Sequence, residues 1–413
     1  MLHFFSTLSW IFLFTGCNSK SLPPDENSVQ KKIQTPIVEN AFDTTIISGA
    51  EQTESYIPLI KDKYVALVVN QTSIIGRTHL VDSLLSLGIN IPVIFSPEHG
   101  FRGTEDAGAT IQNSKDSKTG IPIISLYGNK KKPATTDLQD ADVVIFDIQD
   151  VGARFYTYIS TLHYVMEACA ENNKQLIILD RPNPNGYYVD GPVLQKEFTS
   201  FVGLHPVPVV HGMTVGEYAK MINGEGWLAG GVKCNLIVIA SKNYEHADFY
   251  ELKIPPSPNL RTMHAIYLYP SLCFFEGTNV SVGRGTVSPF EIYGSPMIRI
   301  SEFSFTPKSG PGSKTPPFMN QLCYGVDLSK QTLVNVRKPN LNLGYLLDAY
   351  SKYSQTDKFF LSNNFFNKLA GNDELIKQIE AGLTEDEIRL TWQEDLKKFK
   401  ELRAKYLLYT DFE

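Results

Sequence analysis

Short apolar runs alternate with amphipathic segments through the first half of the chain. Runs without polar alternation are typical of strands that are buried on both faces of a sheet. Five such runs are present: KYVALVVN at 63–70, IPVIFSPEH at 91–99, PIISLYG at 122–128, DVVIFDIQD at 142–150 and QLIILDRPN at 175–183. Two intervening segments have helical spacing and end in Gly or Asn, which commonly stop a helix. The alternation predicts βα units and an α/β fold with a mostly parallel sheet.

The pattern changes near the glycine pair at 230–231. We place a domain boundary there, which gives an N-terminal domain at 44–232 and a smaller C-terminal domain at 233–413. The strand-like segment 234–240 could still belong to the first sheet. From 255 to 317 the periodicity weakens and Gly, Pro and aromatic residues dominate, which predicts loops and short strands.

One long helix is predicted at the end of the chain. Thr384 and Glu387 have the spacing of a capping box, which starts a helix. The apolar residues that follow repeat at spacings of three and four, as on the packed face of a helix: Ile388, Trp392, Leu396, Phe399, Leu402 and Tyr406.

The N-terminal segment is typical of an exported protein. The apolar run from Leu8 to Phe14 is too short to span a bilayer as a helix, and small residues follow it. LFTGC at 13–17 resembles the lipobox of bacterial lipoproteins, which implies cleavage after residue 16 and a lipid on Cys17. Residues 17–43 are polar and aperiodic, as in a tether. We expect a protein facing the periplasm that touches the membrane only through its lipid anchor.

Composition narrows the class of protein. The 413 residues favour two domains, and 42% hydrophobic with 20% charged residues excludes intrinsic disorder. With 38 basic against 44 acidic residues and no long basic run, the chain lacks the charge that nucleic-acid binding requires. The cysteines beyond Cys17 form no CxxC pair, which argues against zinc and favours buried thiols, although disulfides are also compatible with export. They are Cys169, Cys234, Cys273 and Cys323.

Common cofactor and nucleophile motifs are absent. The turn after the first predicted strand reads NQT instead of GxGxxG, and the chain has no GxxxxGK[ST], GxSxG or HExxH. Polar groups instead follow the apolar runs, and ligands of open α/β sheets bind beyond the carboxyl ends of the strands. Each group alone could be a turn residue. The candidates are Glu98, His99, Arg102, Asp147, Asp150, Arg154, Tyr156, Asp180, Asn183 and His211.

Two residues downstream are also candidates. Glu276 lies in FFEG, an aromatic setting that suits a general acid, although a Glu that ends a strand and faces water has the same pattern. Arg284 lies between two glycines, which let the backbone and the guanidinium both approach an anion. Glu217 has capping-box spacing from Thr214 and is assigned to a helix start.

Several long motifs resemble the exo-β-N-acetylmuramidase family of the NamZ type, formerly a domain of unknown function. The likeness covers roughly 45–410, and its motifs are FSPEHGFRG, DIQDVGARFYTYIS, LDRPNPNG, VDGPVL, PVVHGMTVGEYAKMINGEGWL, PSPNL, YPSLCFFEGTNVSVGRGT and PFEIYGSP. The resemblance implies a Rossmann-like N-terminal domain, a smaller C-terminal domain and an active-site cleft between them. It also implies a glycoside hydrolase that releases N-acetylmuramic acid from the non-reducing ends of peptidoglycan fragments, without a metal or organic cofactor.

The resemblance assigns roles to the candidate residues. Glu98 is the expected general acid and Glu276 the second carboxylate, with Asp147 and Asp150 in reserve. The lactyl carboxylate of muramic acid requires a cation, for which Arg154 and Arg284 are candidates. The other expected sugar contacts are His99, Arg102, Tyr156, Asp180, Asn183, His211 and Asn259.

Two other classes of function stay open at this point. A protein of the same fold could bind muropeptides or sugars without cleaving them. A wall amidase or esterase is disfavoured because no serine, cysteine or metal constellation is evident.

Overall fold

The computed structural model describes residues 45–101 and 114–413, and these belong to one compact unit from Thr45 to Glu413. The export signal, the tether, Cys17 and Arg102 lie outside the described residues.

Strands and helices alternate in the first half of the chain and helices dominate the end. The strands are β1 (Val65–Val69), β2 (Ile74–Ile75), β3 (Thr78–His79), β4 (Ile94–Ser96), β5 (Ser114–Lys115), β6 (Pro122–Ser125), β7 (Val143–Asp147), β8 (Gln175–Leu179), β9 (Asn235–Ile239), β10 (Ile292–Ser295), β11 (Ser304–Phe305) and β12 (Cys323–Asp327). The α-helices are α1 (Thr53–Ile60), α2 (Leu80–Ser86), α3 (Thr135–Leu138), α4 (Tyr158–Glu171), α5 (Val215–Gly224), α6 (Met263–Leu272), α7 (Leu333–Val336), α8 (Gly344–Ser351), α9 (Phe365–Ala370), α10 (Glu374–Glu380), α11 (Glu385–Leu390) and α12 (Gln393–Arg403).

Within the described residues, seven strands form a large sheet in the order β5-β6-β4-β1-β7-β8-β9. All neighbouring pairs are parallel except β5 with β6. The five apolar runs supply β1, β4, β6, β7 and β8, which confirms the predicted α/β class. The segment 234–240 supplies β9, so this strand completes the large sheet. The sequence pattern missed β5, because two exposed residues carry no periodic signal.

The central strand β1 explains the unbroken apolar runs. Its side chains alternate between two cores: Ala66 and Val68 belong to one apolar cluster, and Val65, Leu67 and Val69 to another. Successive side chains of a strand point to opposite faces, so a strand covered on both faces is apolar at every position. The first cluster also contains side chains of α12, and the core therefore extends from the large sheet to the last helix.

The second half of the chain builds a smaller layer around α6. Three described strands form an antiparallel sheet in the order β10-β12-β11. Helix α6 tightens into a 3₁₀ turn, Cys273–Gly277, which carries Glu276. A side chain at Gly277 would place its Cβ 2.5 Å from the Cα of Phe366, so glycine is required for α9 to pack directly on this turn.

The prediction of one continuous C-terminal helix was wrong. The capping box of Thr384 and Glu387 starts α11 as predicted, but the helix ends at Leu390 and α12 begins at Gln393. The Thr391 hydroxyl donates to the carbonyl of Ile388 at 2.7 Å, and the Trp392 indole donates to Asp190 at 3.2 Å. These bonds hold the chain in a turn that apolar spacing cannot reveal. The residues of the stripe from Ile388 to Phe399 are nevertheless buried, as expected.

The four cysteines within the described residues are buried free thiols, which confirms that prediction. Among the described helices, none combines the length and apolar character needed to cross a membrane.

Candidate active site

A cleft of about 760 Å³ lies at the carboxyl ends of the large sheet. One wall comes from the segments after β4, β6 and β7, and the other from α6, the turn that follows it and loops of the second half. The chemistry-bearing and aromatic residues that line it are Glu98, His99, Tyr127, Phe155, Tyr156, Thr157, Tyr269, Glu276, Arg284, Phe290, Lys314, Thr315 and Phe365. The cleft therefore brings together five of the residues proposed from sequence: Glu98, His99, Tyr156, Glu276 and Arg284.

Glu98 is held by two neutral hydroxyl groups. The Thr157 hydroxyl donates to Oε2 of Glu98 at 2.8 Å. Thr157 precedes α4 at the N-cap position but makes no capping bond to its own helix, so its hydroxyl serves Glu98 instead. Tyr127 also hydrogen-bonds to Glu98, and its pKa is raised by burial and by the charge of that carboxylate.

Glu276 is paired with a cation. Arg284 donates from Nε to Oε1 of Glu276 at 2.6 Å, and the Cys273 thiol lies 3.7 Å from Oε2. Burial opposes the charge of Arg284, but the carboxylate outweighs it and raises the pKa of the guanidinium. The two side chains keep 24% and 17% of their surface exposed, so the pair faces the cleft while remaining mostly desolvated.

Arg284 keeps hydrogen-bond donors available for a ligand. Its Nη1 is buried and has no hydrogen-bond partner among the described residues. The guanidinium lies 5.1 Å from the ring centroid of Phe290 and makes a cation–π contact with it. The flanking Gly283 and Gly285 both have positive φ, which L side chains rarely adopt, so the loop that presents Arg284 requires glycine on either side.

Backbone strain is concentrated around the cleft. Apart from Asn and Asp, the described non-glycine residues with positive φ are His99 at 69°, Phe290 at 59° and Phe318 at 57°. His99 and Phe290 line the cleft, and Phe318 lines a cavity beside it. Bulky residues adopt this left-handed backbone conformation only where the surrounding packing holds them in it. Such strained residues are concentrated at ligand sites. Nothing in the sequence pattern reveals it.

Asp147 lies outside the cleft. Its carboxylate is fully buried and forms a bidentate pair with Arg181, at 2.5 Å to Nε and 2.9 Å to Nη2. Both carboxylate oxygens of Asp147 are therefore occupied by the guanidinium of Arg181, and the ion pair links the ends of β7 and β8. This position is structural rather than catalytic.

Asp150 is also buried outside the cleft. The Gly152 amide donates to its Oδ2 at 2.6 Å, while Oδ1 has no partner among the described residues. Burial raises the pKa of this carboxyl to about 7. Asp150 is thus protonated in mildly acidic solution, and its ionisation at higher pH lowers the free energy of unfolding.

Asp150→Asn is expected to stabilise the protein in alkaline solution. The unfolded carboxyl ionises near pH 4 and the folded one near pH 7, so this group's contribution to stability falls as the pH rises through that interval. The asparagine amide does not titrate in this range, and its carbonyl oxygen can still accept the hydrogen bond from the Gly152 backbone N–H. The gain in unfolding free energy should grow from near zero at pH 4 to on the order of 4 kcal/mol at pH 8. Urea unfolding at both pH values measures it, with exposed Asp140→Asn as the control. An equal gain at both pH values would contradict the assignment.

Asp180 joins three segments and lies outside the cleft. It accepts hydrogen bonds from the Thr214 hydroxyl at 2.7 Å, the Gly216 amide at 2.8 Å and the Tyr409 hydroxyl at 2.6 Å. Burial raises its pKa to about 6. Thr214 also forms the expected capping box with Glu217, so this cluster sets the start of α5.

Asn183 and His211 are buried outside the cleft as well. The Asn183 amide donates to the carbonyl of Met213 at 2.9 Å and accepts from the Asn185 amide at 2.8 Å. Burial lowers the pKa of His211 to about 3, which keeps its ring neutral. Both residues stabilise buried turns, and neither of them lines the cleft.

Arg154 is fully buried and does not reach the cleft. Nη1 donates to the carbonyls of Pro192 and Val207 at 2.8 and 2.7 Å, and Nη2 to those of Leu369 and Ala370 at 2.8 Å each. Burial lowers its pKa to about 9. Arg154 therefore ties the first half of the chain to the end of α9, and the predicted contact with a lactyl carboxylate does not fit this position.

Asn259 supports the cleft indirectly. Its amide donates to the carbonyl of Gly312 at 2.8 Å and so holds the loop that brings Lys314 and Thr315 to the rim. Sequence reasoning missed Thr157, Tyr269 and this loop as parts of the site. Thr157 lies inside a quoted motif, but its bond to Glu98 spans 59 positions and has no local signature.

Two family models match consecutive parts of the chain. Residues 65–264 match the N-terminal model of the exo-β-N-acetylmuramidase NamZ, and residues 267–409 match the C-terminal model. The chain is 37% identical over 426 positions to the peptidoglycan β-N-acetylmuramidase NamZ of Bacillus subtilis, which covers 98% of this chain and 99% of that protein.

Two crystal structures of DUF1343 family proteins from Bacteroides fragilis are similar in fold. The first is 50% identical with a TM-score of 0.83, and it covers 89% of this chain and 99% of its own. The second is 29% identical with a TM-score of 0.74, and it covers 88% and 99% of the two chains.

Proposed function

The chain belongs to the exo-β-N-acetylmuramidase NamZ family, and on that premise we propose that it removes N-acetylmuramic acid from the non-reducing ends of peptidoglycan fragments by hydrolysis. The observation that carries the proposal is the pair of carboxylates in one cleft. Glu98 and Glu276 both line it, and Tyr127, which lines it as well, hydrogen-bonds to Glu98. Glycoside hydrolysis usually requires two carboxyl groups about the scissile bond.

The surroundings of the two carboxylates favour different roles. Glu276 is bound by a guanidinium cation, whereas the partners of Glu98 are neutral hydroxyl groups that can donate or accept. Glu98 is therefore the general acid: its proton passes to the glycosidic oxygen as the bond to C1 breaks. Glu276 is the negative group that stabilises the positive charge at C1. It acts either as a base, taking a proton from the water that attacks C1, or as a nucleophile, forming a bond to C1 that water then breaks to release the sugar.

The rest of the cleft suits a sugar ring with an acidic substituent. Phe155, Tyr269 and Phe365 offer apolar surface to the ring faces. The free Nη1 of Arg284 is the donor for the lactyl group, and His99 and Tyr156 contact hydroxyl or acetamido groups.

The direct test uses a disaccharide of N-acetylmuramic acid β-1,4-linked to N-acetylglucosamine. We expect equal amounts of the two free sugars, measured by chromatography, and no action on the disaccharide in which the order is reversed. Binding of the intact disaccharide by calorimetry without turnover would instead identify a sugar-binding protein of the same fold.

Variants of the two arginines separate recognition from stability. Arg284→Met removes a charge-assisted donor, so the preference for N-acetylmuramic over N-acetylglucosamine glycosides should fall about 10- to 100-fold. Arg154→Lys should leave that preference unchanged but lower the melting temperature, because one ammonium cannot satisfy four buried carbonyls. Kinetics on both chromogenic glycosides measure the preference, and a change with Arg154→Lys alone would contradict the assignment.

We further propose that the chain is an exported lipoprotein anchored through Cys17 and facing the periplasm. The uncharged apolar run, the LFTGC segment and the polar tether support this. After detergent phase separation, the wild type should enter the detergent phase and Cys17→Ala should not. Equal partition of the two proteins would refute the anchor.

A further inference from the structure

Cys169 and Cys234 lie close together in the fold, although 65 positions separate them in the chain. Cys169 lies near the end of α4, and its carbonyl accepts from the amide of Lys174, the residue before β8, at 2.8 Å. Cys234 immediately precedes β9, and the first residues of β8 and β9 pair with each other in parallel register. The topology therefore brings both cysteines to the same end of the large sheet.

The two thiols contact each other inside the first apolar cluster. Both side chains are buried there, and the structure holds them as free thiols. The Cys169 thiol hydrogen-bonds to the Cys234 thiol, and this bond together with burial raises the pKa of Cys169 well above its ordinary value. Side chains whose sulfur atoms hydrogen-bond to each other point toward one another, which is the arrangement that a disulfide requires.

The backbone that carries the pair is held by hydrogen bonds. The side-chain amide of Asn223 in α5 donates to the carbonyl of Cys234 at 2.9 Å, and its Oδ1 accepts from the backbone N–H of Cys234 at 2.9 Å. Helix α4, which carries Cys169, packs on α5 and β8. Since both cysteines lie on fixed segments that already contact each other, joining their sulfur atoms does not require the helices or strands to separate.

We propose that Cys169 and Cys234 are joined by a disulfide in the exported protein. This inference rests on the proposed export to the periplasm, an oxidising compartment, and is independent of the proposed muramidase activity. Burial keeps the folded thiols protonated and away from oxidants, so the bond forms during folding, before the apolar cluster closes over the pair.

The oxidant is the disulfide of a thiol–disulfide oxidoreductase. The Cys169 thiolate attacks one sulfur of that disulfide, which forms a mixed disulfide and releases the other sulfur as a thiolate. The Cys234 thiolate then attacks the Cys169 sulfur of the mixed disulfide, and the oxidoreductase leaves as its dithiol. The two cysteines lose two electrons and two protons in total, and the oxidoreductase gains them.

The disulfide fastens the end of α4 to the start of β9. Thr157, whose hydroxyl bonds Glu98 in the cleft, directly precedes the first residue of α4. The bond therefore stabilises the helix that begins beside the proposed general acid. Because it also shortens the free loop of the unfolded chain, its loss should lower the melting temperature of the protein.

Peptide mapping of the full chain tests the bond. Trypsin releases Cys169 in the peptide 155–174 and Cys234 in the peptide 234–242, and neither peptide contains another cysteine. After expression with the export signal in a bacterial host and alkylation of free thiols, we expect the two peptides as one species that reduction separates. Two alkylated peptides from the exported fraction overturn the disulfide. Retention of the chain in the cytoplasm refutes the proposed export and, with it, the disulfide in the cell.

Refolding tests the pairing apart from export. The reduced, unfolded chain is refolded in a mixture of reduced and oxidised glutathione, and the same two peptides should again be linked. A link from either peptide to Cys273 or Cys323, or alkylation of both peptides, overturns the pairing whatever the outcome of the export experiment.

Melting temperatures test the effect of the bond on stability. The oxidised wild type should melt about 5 °C above the same protein refolded with dithiothreitol. Cys234→Ala should melt at one temperature in both conditions, because it has no bond to lose. The matched control is Cys323→Ala, which removes another buried cysteine and should keep the difference between the two conditions. A difference that persists in Cys234→Ala overturns the assignment.

Discussion

Glu98→Gln is expected to lower kcat on the natural disaccharide by about 10²- to 10⁴-fold, the usual contribution of a general acid. The amide keeps the shape of the side chain, and its carbonyl oxygen can still accept the bond from the Thr157 hydroxyl, but it has no acidic proton to give to the glycosidic oxygen. The loss should therefore be in the bond-breaking step rather than in substrate binding.

The leaving group identifies the role of Glu98. On an aryl glycoside of N-acetylmuramic acid with an acidic phenol, the departing oxygen needs little protonation, so the variant should lose far less activity than on the disaccharide. Equal losses on both substrates would refute the acid role. Glu171→Gln is the matched control, because this exposed glutamate pairs with Lys132 outside the cleft and should keep full activity.

Glu276→Gln is expected to reduce turnover of both substrates alike, by at least about 10²-fold. The carboxylate acts on the sugar ring, which the two substrates share, so a better leaving group cannot compensate for its loss. The variant also leaves the mostly desolvated Arg284 without its anionic partner. A selective loss on the disaccharide would instead exchange the roles proposed for Glu276 and Glu98.

Folding controls accompany the Glu276 variant. Removing one member of a buried ion pair destabilises a protein, but the partial exposure of this pair reduces that effect. We expect a melting temperature lower by a few degrees with the substrate cleft retained, as binding of the product N-acetylmuramic acid would verify. The matched control is Glu302→Gln, the same substitution at an exposed glutamate outside the ion pair. Its melting temperature should equal that of the wild type.

The architecture was largely predictable because burial on both faces forces apolar residues at every strand position. The five apolar runs became strands of the large sheet, and the capping boxes at Thr214 and Thr384 start the helices assigned to them. The break after α11 was not predictable, because it depends on the contact of Trp392 with Asp190, some 200 positions earlier.

The site was predictable only in part. Polar residues at strand ends were correctly expected to gather at one edge, yet the pattern cannot tell which of them bond each other. Asp147 is taken by Arg181, whereas Glu98 stays at the cleft. The burial of Arg154 could not be predicted for the same reason. Its acceptors, the carbonyls of Leu369 and Ala370, lie more than 200 positions away, so the sequence around Arg154 does not reveal them.

The bonds of Arg154 also bear on how the molecule unfolds. This side chain joins carbonyls from both halves of the chain, and a single apolar cluster runs from β1 to α12. The N-terminal and C-terminal parts of the chain, which two separate family models match, cannot unfold independently. If either part unfolded, the other would lose core contacts, and the buried Arg154 would lose some of its carbonyl acceptors. Heating should therefore give one cooperative transition, with calorimetric and van't Hoff enthalpies that agree, in a protein long enough to melt in two steps.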